Sequence, residues 1–197
     1  MDARNTDDTA TRIAAGDDRS RYDPVAMSLH WATVLLVLAN FALAETWEAF
    51  ARPTRHLMIA THMSFGILLG AVVIARIVWR LIPGHQMQPA VSGFAELASR
   101  AVHWLLYLLL IAQAVLGFVL RWSGGEAMSF FGLQLPSPME TVSRATNHGI
   151  GEVHENVGWA IVILAAAHAA AALYHHLVVK DDVMRRMLPG RAGAGRG

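Results

Sequence analysis

The stretch Val153-His154-Glu155-Asn156-Val157-Gly158 opens a run that passes through His168 and closes on Tyr174-His175-His176 before Lys180. From Val157 to Val179 there are 23 residues without Asp, Glu, Lys or Arg. About 20 residues of helix, rising about 1.5 Å each, cross roughly 30 Å of hydrocarbon. The run therefore reads as a membrane helix, and it carries histidines. Ionisable residues inside a membrane are costly and usually functional. His154 and His168 are 14 residues apart. At 3.6 residues per turn they fall within about 40° of each other, separated by about 21 Å along the axis. One face of one helix thus holds two imidazoles near opposite sides of a membrane.

Three further runs match the first. Val25 to Ala44 has 20 uncharged residues, Leu57 to Ala75 has 19, and Ala101 to Leu120 has 20. Asp23-Pro24 precedes the first, a capping residue followed by proline at the first helical position. Pro83-Gly84 ends the second, and Gly124-Gly125 follows the third. Composition agrees: 54% of residues are hydrophobic and only 16% charged, against about 25% charged in ordinary soluble domains. Mean hydropathy is +0.37. The expected fold is an all-α integral membrane protein, a bundle of four transmembrane helices. Strands are not expected, because an open sheet edge cannot face lipid. Residues 1–21 read as a disordered arm, 22–189 as the membrane domain and 190–197 as a flexible tail. The connection from Arg121 to Gly151 should form a cap with, at most, a short surface helix.

Lysine and arginine give the orientation. The N-terminal arm, the second connection and the C-terminus together hold twelve, including Arg76, Arg80, Arg100 and Lys180. The opposite side holds four: Arg52, Arg55, Arg121 and Arg144. Both termini are therefore expected in the cytoplasm. Trp47, Trp79 and Trp122 lie at helix ends, where an aromatic belt sits.

The chain has no cysteine, which excludes disulfides, thiolate iron–sulfur clusters, Cys-zinc sites and covalently attached c-type haem. Ten histidines are then the main metal ligands. Two imidazoles stacked on one helix face suit two b-type haems, each with two axial ligands. Partners must come from other helices. His62 is level with the outer His154. His30 belongs with the inner site, where spacing alone also admits His175 as its partner and His103 as its competitor. Glycines follow His62 at four and eight residues (Gly66, Gly70), and Gly158 follows His154 at four. A flat macrocycle can lie on such a surface, and so can a closely packed helix.

These residues also carry a resemblance. Ser28-Leu29-His30-Trp31, His62-Met63-Ser64-Phe65-Gly66, His103-Trp104-Leu105-Leu106-Tyr107, His154-Glu155 and His168 through His176, then Lys180-Asp181 and Arg186-Met187-Leu188-Pro189, stand in one order. From Arg21 to Pro189 the chain resembles the bacterial cytochrome b-561 family, four-helix di-haem membrane cytochromes that include superoxide oxidase. The resemblance implies two haem b groups, with iron held by His62 and His154 outside and by His30 and His168 inside. It implies a multi-pass protein of the bacterial inner membrane. Electrons would pass from a small periplasmic reductant to ubiquinone in the bilayer, as in a superoxide:ubiquinone oxidoreductase. His103, His175 and His176 are left without iron. A quinone or proton site would draw on His175, His176, Arg76, Arg80 and Lys180. His56, His85 and His148 are expected at the surface.

Two bis-histidine haems leave no open position, so outer-sphere electron transfer is the natural task. Arg55 and Arg144 are the candidates for steering an anionic donor. A related reading is a cytochrome b anchor that takes electrons from a soluble dehydrogenase or hydrogenase partner. A histidine-lined metal or proton transporter is a different class. It would show broken helices and intramembrane carboxylates, and the four runs hold no Asp, Glu or internal proline. No nucleic-acid partner is expected.

Overall fold

A computed structural model describes residues 23–83 and 94–180. Four helices dominate it: α1 (Pro24–Thr46), α2 (Arg52–Leu81), α3 (Phe94–Ser123) and α4 (Arg144–Tyr174). All four are long and apolar enough to cross a membrane. The expected arm, tail and His85 lie outside the described residues.

The helix starts follow capping chemistry. Asp23 accepts a hydrogen bond from the Val25 amide at 2.9 Å, with Pro24 behind it. Ser143 accepts from the Thr146 amide at 3.1 Å. Each side chain satisfies one of the orphan donors of a first turn. Hydroxyls inside the apolar helices turn back onto their own backbone. Thr33 donates to the Leu29 carbonyl and Ser64 to the Ala60 carbonyl, each at 2.8 Å. A buried hydroxyl is thereby satisfied without leaving the helix.

The helices run alternately up and down. Trp79, late in α2, donates to the Asp23 carboxylate at the start of α1. Arg76 of α2 lies over the Tyr107 ring of α3. Asn147, early in α4, donates to the Leu120 carbonyl and the Ser123 hydroxyl at the end of α3. Each helix packs on its sequence neighbour, α1 on α2, α2 on α3 and α3 on α4. Side chains bring α4 to the other two: Trp159 meets Phe41 of α1 ring to ring, and Ile161 joins Leu69 and Val73 of α2 in the core. The core is a narrow waist of Leu69, Val73, Tyr107, Leu110 and Ile161. Ile161 is midway between His154 and His168, so this apolar waist separates two polar layers.

Two boundaries depart from the sequence reading. Helix α4 begins at Arg144 rather than after Gly151, because its first turns are polar and carry no apolar run. The long connection forms a β-hairpin, Met128–Phe130 with Leu133–Leu135, and no helix of its own. Its two-residue loop has φ 46° at Phe131 and 92° at Gly132. Two positive φ values are the mark of a type I′ turn, which matches strand twist. The hairpin avoids lipid exposure of its backbone by docking on the bundle. The Ser64 hydroxyl accepts from the Phe131 amide at 2.9 Å, and Met128 and Ser129 are buried.

Candidate cofactor site

Five histidines face the bundle interior, in two layers. Towards the hairpin end, His62 of α2 and His154 of α4 stand with ring centroids 6.3 Å apart at 72°. They face each other across the bundle interior, one from α2 and one from α4. Metal–imidazole bonds are about 2 Å and the ring adds about 1 Å, so two rings sharing one metal stand about 6 Å apart. The observed spacing fits. Nδ1 of His62 lies 3.0 Å from the Asn40 carbonyl, which can only accept. Nδ1 therefore carries the proton and Nε2 has its lone pair free, the arrangement found in metal-ligating histidines. His154 shows a buried Nδ1 without a partner. Its ring lies against Gly117 of α3, where an added Cβ would come within 3.4 Å of Cε1.

The glycines divide. A Cβ at Gly66 would meet nothing within 4 Å, so one turn from His62 the helix borders open space. Gly70 instead packs on Ala114, and Gly158 receives the side-chain amide of Gln113. Those two are ordinary close helix packing. Asn40 is only 7% exposed, and both atoms of its amide lack partners. The orphaned polar atoms, the free Nε2 and the open face at Gly66 together suit a planar group with a metal at its centre.

The second layer holds three imidazoles. His103 of α3 and His168 of α4 have centroids 4.9 Å apart, too close for two rings on opposite sides of one metal. Nδ1 of His103 donates to the Ser99 carbonyl at 2.6 Å. His30 of α1 meets Arg76 instead, Nδ1 to Nη2 at 3.1 Å. A guanidinium only donates, so this Nδ1 accepts and the proton of a neutral ring sits on Nε2. Arg80 lies over the Trp104 ring, 5.8 Å from its centroid. Arg76 thus reaches His30 of α1 and Tyr107 of α3, and Arg80 the exposed Trp104 of α3.

His175 and His176 follow in a π-helical turn, His175–Val179, that ends at Lys180 in the left-handed conformation. Both are half-buried. His56 and His148 are exposed, as expected, though both lie in helices; His148 pairs with Glu152 at 3.6 Å. Among the described residues no three His, Asp or Glu side chains converge as a metal cluster.

A four-helix membrane protein with imidazoles facing its interior fits the class of membrane-embedded electron carriers. Residues 21–190 match the prokaryotic cytochrome b561 family, and the chain belongs to it. It is 32% identical over 173 residues to cytochrome b561 homolog 2 of Escherichia coli K12, covering 85% of this chain and 91% of that protein. With cytochrome b561 homolog 1 of the same organism the identity is 30% over 178 residues, covering 87% and 99%. A protein of Yersinia pestis named "Probable superoxide oxidase CybB" is 28% identical over 117 residues, 59% of this chain and 66% of its own length. The family makes the chain a membrane electron-transfer protein of the haem b type, and it sets the transporter aside.

Proposed function

We propose that this chain carries electrons across the bilayer through two haem b groups, from a small reductant outside to ubiquinone. The termini are then cytoplasmic and the hairpin end periplasmic. The facing of His62 and His154 across the bundle interior carries the reading. These two would hold the outer group. His30 and His168 would hold the inner one, on the strength of the family pattern and of a His103–His168 spacing too short to share an iron.

Bound haem supplies one-electron redox chemistry at a saturated iron. The chain's own residues do the rest. The Asn40 carbonyl holds the proton of His62 on Nδ1 and directs Nε2 into the site. The waist of Leu69, Val73, Tyr107, Leu110 and Ile161 keeps water from the path between the layers. For His30 to ligate through Nε2, the Arg76 N–H must leave Nδ1. At the inner end Arg76 and Arg80 offer donors to a quinone oxygen, and His175, His176 and Lys180 can hand protons to it.

Superoxide is the proposed donor, supported by the name of the Yersinia relative. Arg55 and Arg121 are each paired with a carboxylate, Glu48 and Glu126. Any attraction of an anion therefore falls to Arg52 and Arg144. The test is an optical redox titration of the purified protein with haem quantified per chain, then stopped-flow mixing with superoxide. Two low-spin b haems, reduced by superoxide and reoxidised by a soluble ubiquinone, are expected. A haem-free protein would overturn the reading. Two haems that ignore superoxide but accept electrons from a co-purifying dehydrogenase or hydrogenase would move the chain to the anchor role.

A further inference from the structure

Trp47 does more than mark the membrane boundary. Helix α1 ends at Thr46 and passes into a single 3-10 turn, Trp47–Ala49. That turn sets the Trp47 indole edge-on against the His62 imidazole, centroids 5.4 Å apart at 79°. The turn has no side-chain cap of its own. Arg55 of α2 holds it instead: Nη1 meets the Glu48 carboxylate at 3.0 Å and Nη2 donates to the Glu48 backbone carbonyl at 3.1 Å. Arg55 and His62 are seven residues apart, two turns, and so share one face of α2. The two prongs of one guanidinium, gripping side chain and backbone of one residue, fix the turn in a way a point charge does not. Arg55 Nε is itself buried without a partner, so the side chain lies down along the protein rather than out in solvent.

We propose that Arg55, Glu48 and Trp47 form a clasp that closes the outer face of His62, with Trp47 and Arg55 as positioning residues of the outer centre. This rests on His62 being an iron ligand. The cation of Arg55 is then spent on a carboxylate, and its work is to keep an indole between His62 and water. Two consequences follow. First, a ferric bis-imidazole centre carries one more positive charge than the ferrous one, and burial disfavours charge. Opening the clasp therefore stabilises the oxidised form and lowers the outer potential. Second, an unshielded His62 is more readily displaced by an external ligand.

The experiment compares Arg55→Leu, Arg55→Lys, Trp47→Ala and Trp47→Phe in the haem-loaded protein, with the inner haem as an internal control of folding. Redox titration and carbon monoxide binding to the dithionite-reduced protein are the readouts. For Arg55→Leu and Trp47→Ala we expect a tenfold shift of the outer couple toward the ferric form, about 60 mV downward for one electron, and carbon monoxide binding at least tenfold faster. Arg55→Lys should fall between, since it keeps the charge and loses the fork. Trp47→Phe should behave as the parent. An outer potential and carbon monoxide rate unmoved by both Arg55→Leu and Trp47→Ala would overturn the clasp, and so would equal shifts at both haems. His62→Ala distinguishes the two levels of inference: if it retains both haems, the ligand assignment itself has failed.

Discussion

The layer nearer the hairpin holds two imidazoles among neutral amides, whereas the opposite layer holds three among two guanidinium groups. In the first, Asn40 and Gln113 leave amide atoms buried and unpartnered, and Arg55, two turns from His62, is tied to Glu48. In the second, Arg76 touches His30 and Tyr107, and Arg80 lies over Trp104. A fixed cation stabilises whatever gains negative charge beside it, and does so more strongly where water is excluded. On the proposed reading, the arginine-rich layer is the end that receives electrons and the neutral layer the end that passes them on. Both layers are built on α4, so the difference comes from the other three helices.

The largest effect should come from removing a ligand of the simple layer. His154→Ala should cut haem from two per chain to one, because among the described residues no third imidazole stands within the layer to replace it. Pyridine haemochrome quantification against protein mass checks this. Retention of both haems would break the contrast at its root.

The crowded layer should respond less cleanly. His30→Ala should leave the inner haem on His168 alone and turn its signal high-spin, because His103 stands too close to His168 to take the place opposite it, while His103→Ala should leave ligation intact. Electron paramagnetic resonance of the oxidised variants reads the two apart. If His103→Ala abolishes the inner signal and His30→Ala does not, α3 rather than α1 supplies the ligand.

Much of this contrast was legible in the sequence. Helix number and histidine depth follow from charge-free run lengths and the 3.6-residue period. His62 and His154 could be levelled by counting inward from the ends of two runs. The inner layer resisted because His30, His103 and His168 all lie at similar depth, and depth says nothing about azimuth. The sequence also marks which residues carry a side chain able to ligate, but not which backbone carbonyls receive their protons. The roles of Asn40 towards His62 and Ser99 towards His103 leave no signature in residue type. Arg55 was legible as an outer cation and misleading as a free one, since its pairing with Glu48 crosses a chain turn. The hairpin was missed because Phe130-Phe131-Gly132 reads as apolar, and its only cue is the glycine that its tight turn requires.

Arg76→Leu tests the comparison most finely, since it makes the crowded layer electrostatically resemble the simple one. Leucine keeps apolar packing against Tyr107 while removing both the cation and the donor to His30 Nδ1. Loss of the cation disfavours the reduced inner centre. A fall of about 60 mV, a tenfold change for one electron, is expected at the inner couple with the outer couple unmoved. If ubiquinone also uses this guanidinium, the KM for a soluble quinone should rise while reduction of the outer haem stays at the parent rate. An inner potential that falls with an unchanged quinone KM would confine Arg76 to the haem side and leave Arg80, His175 and Lys180 as the quinone's partners.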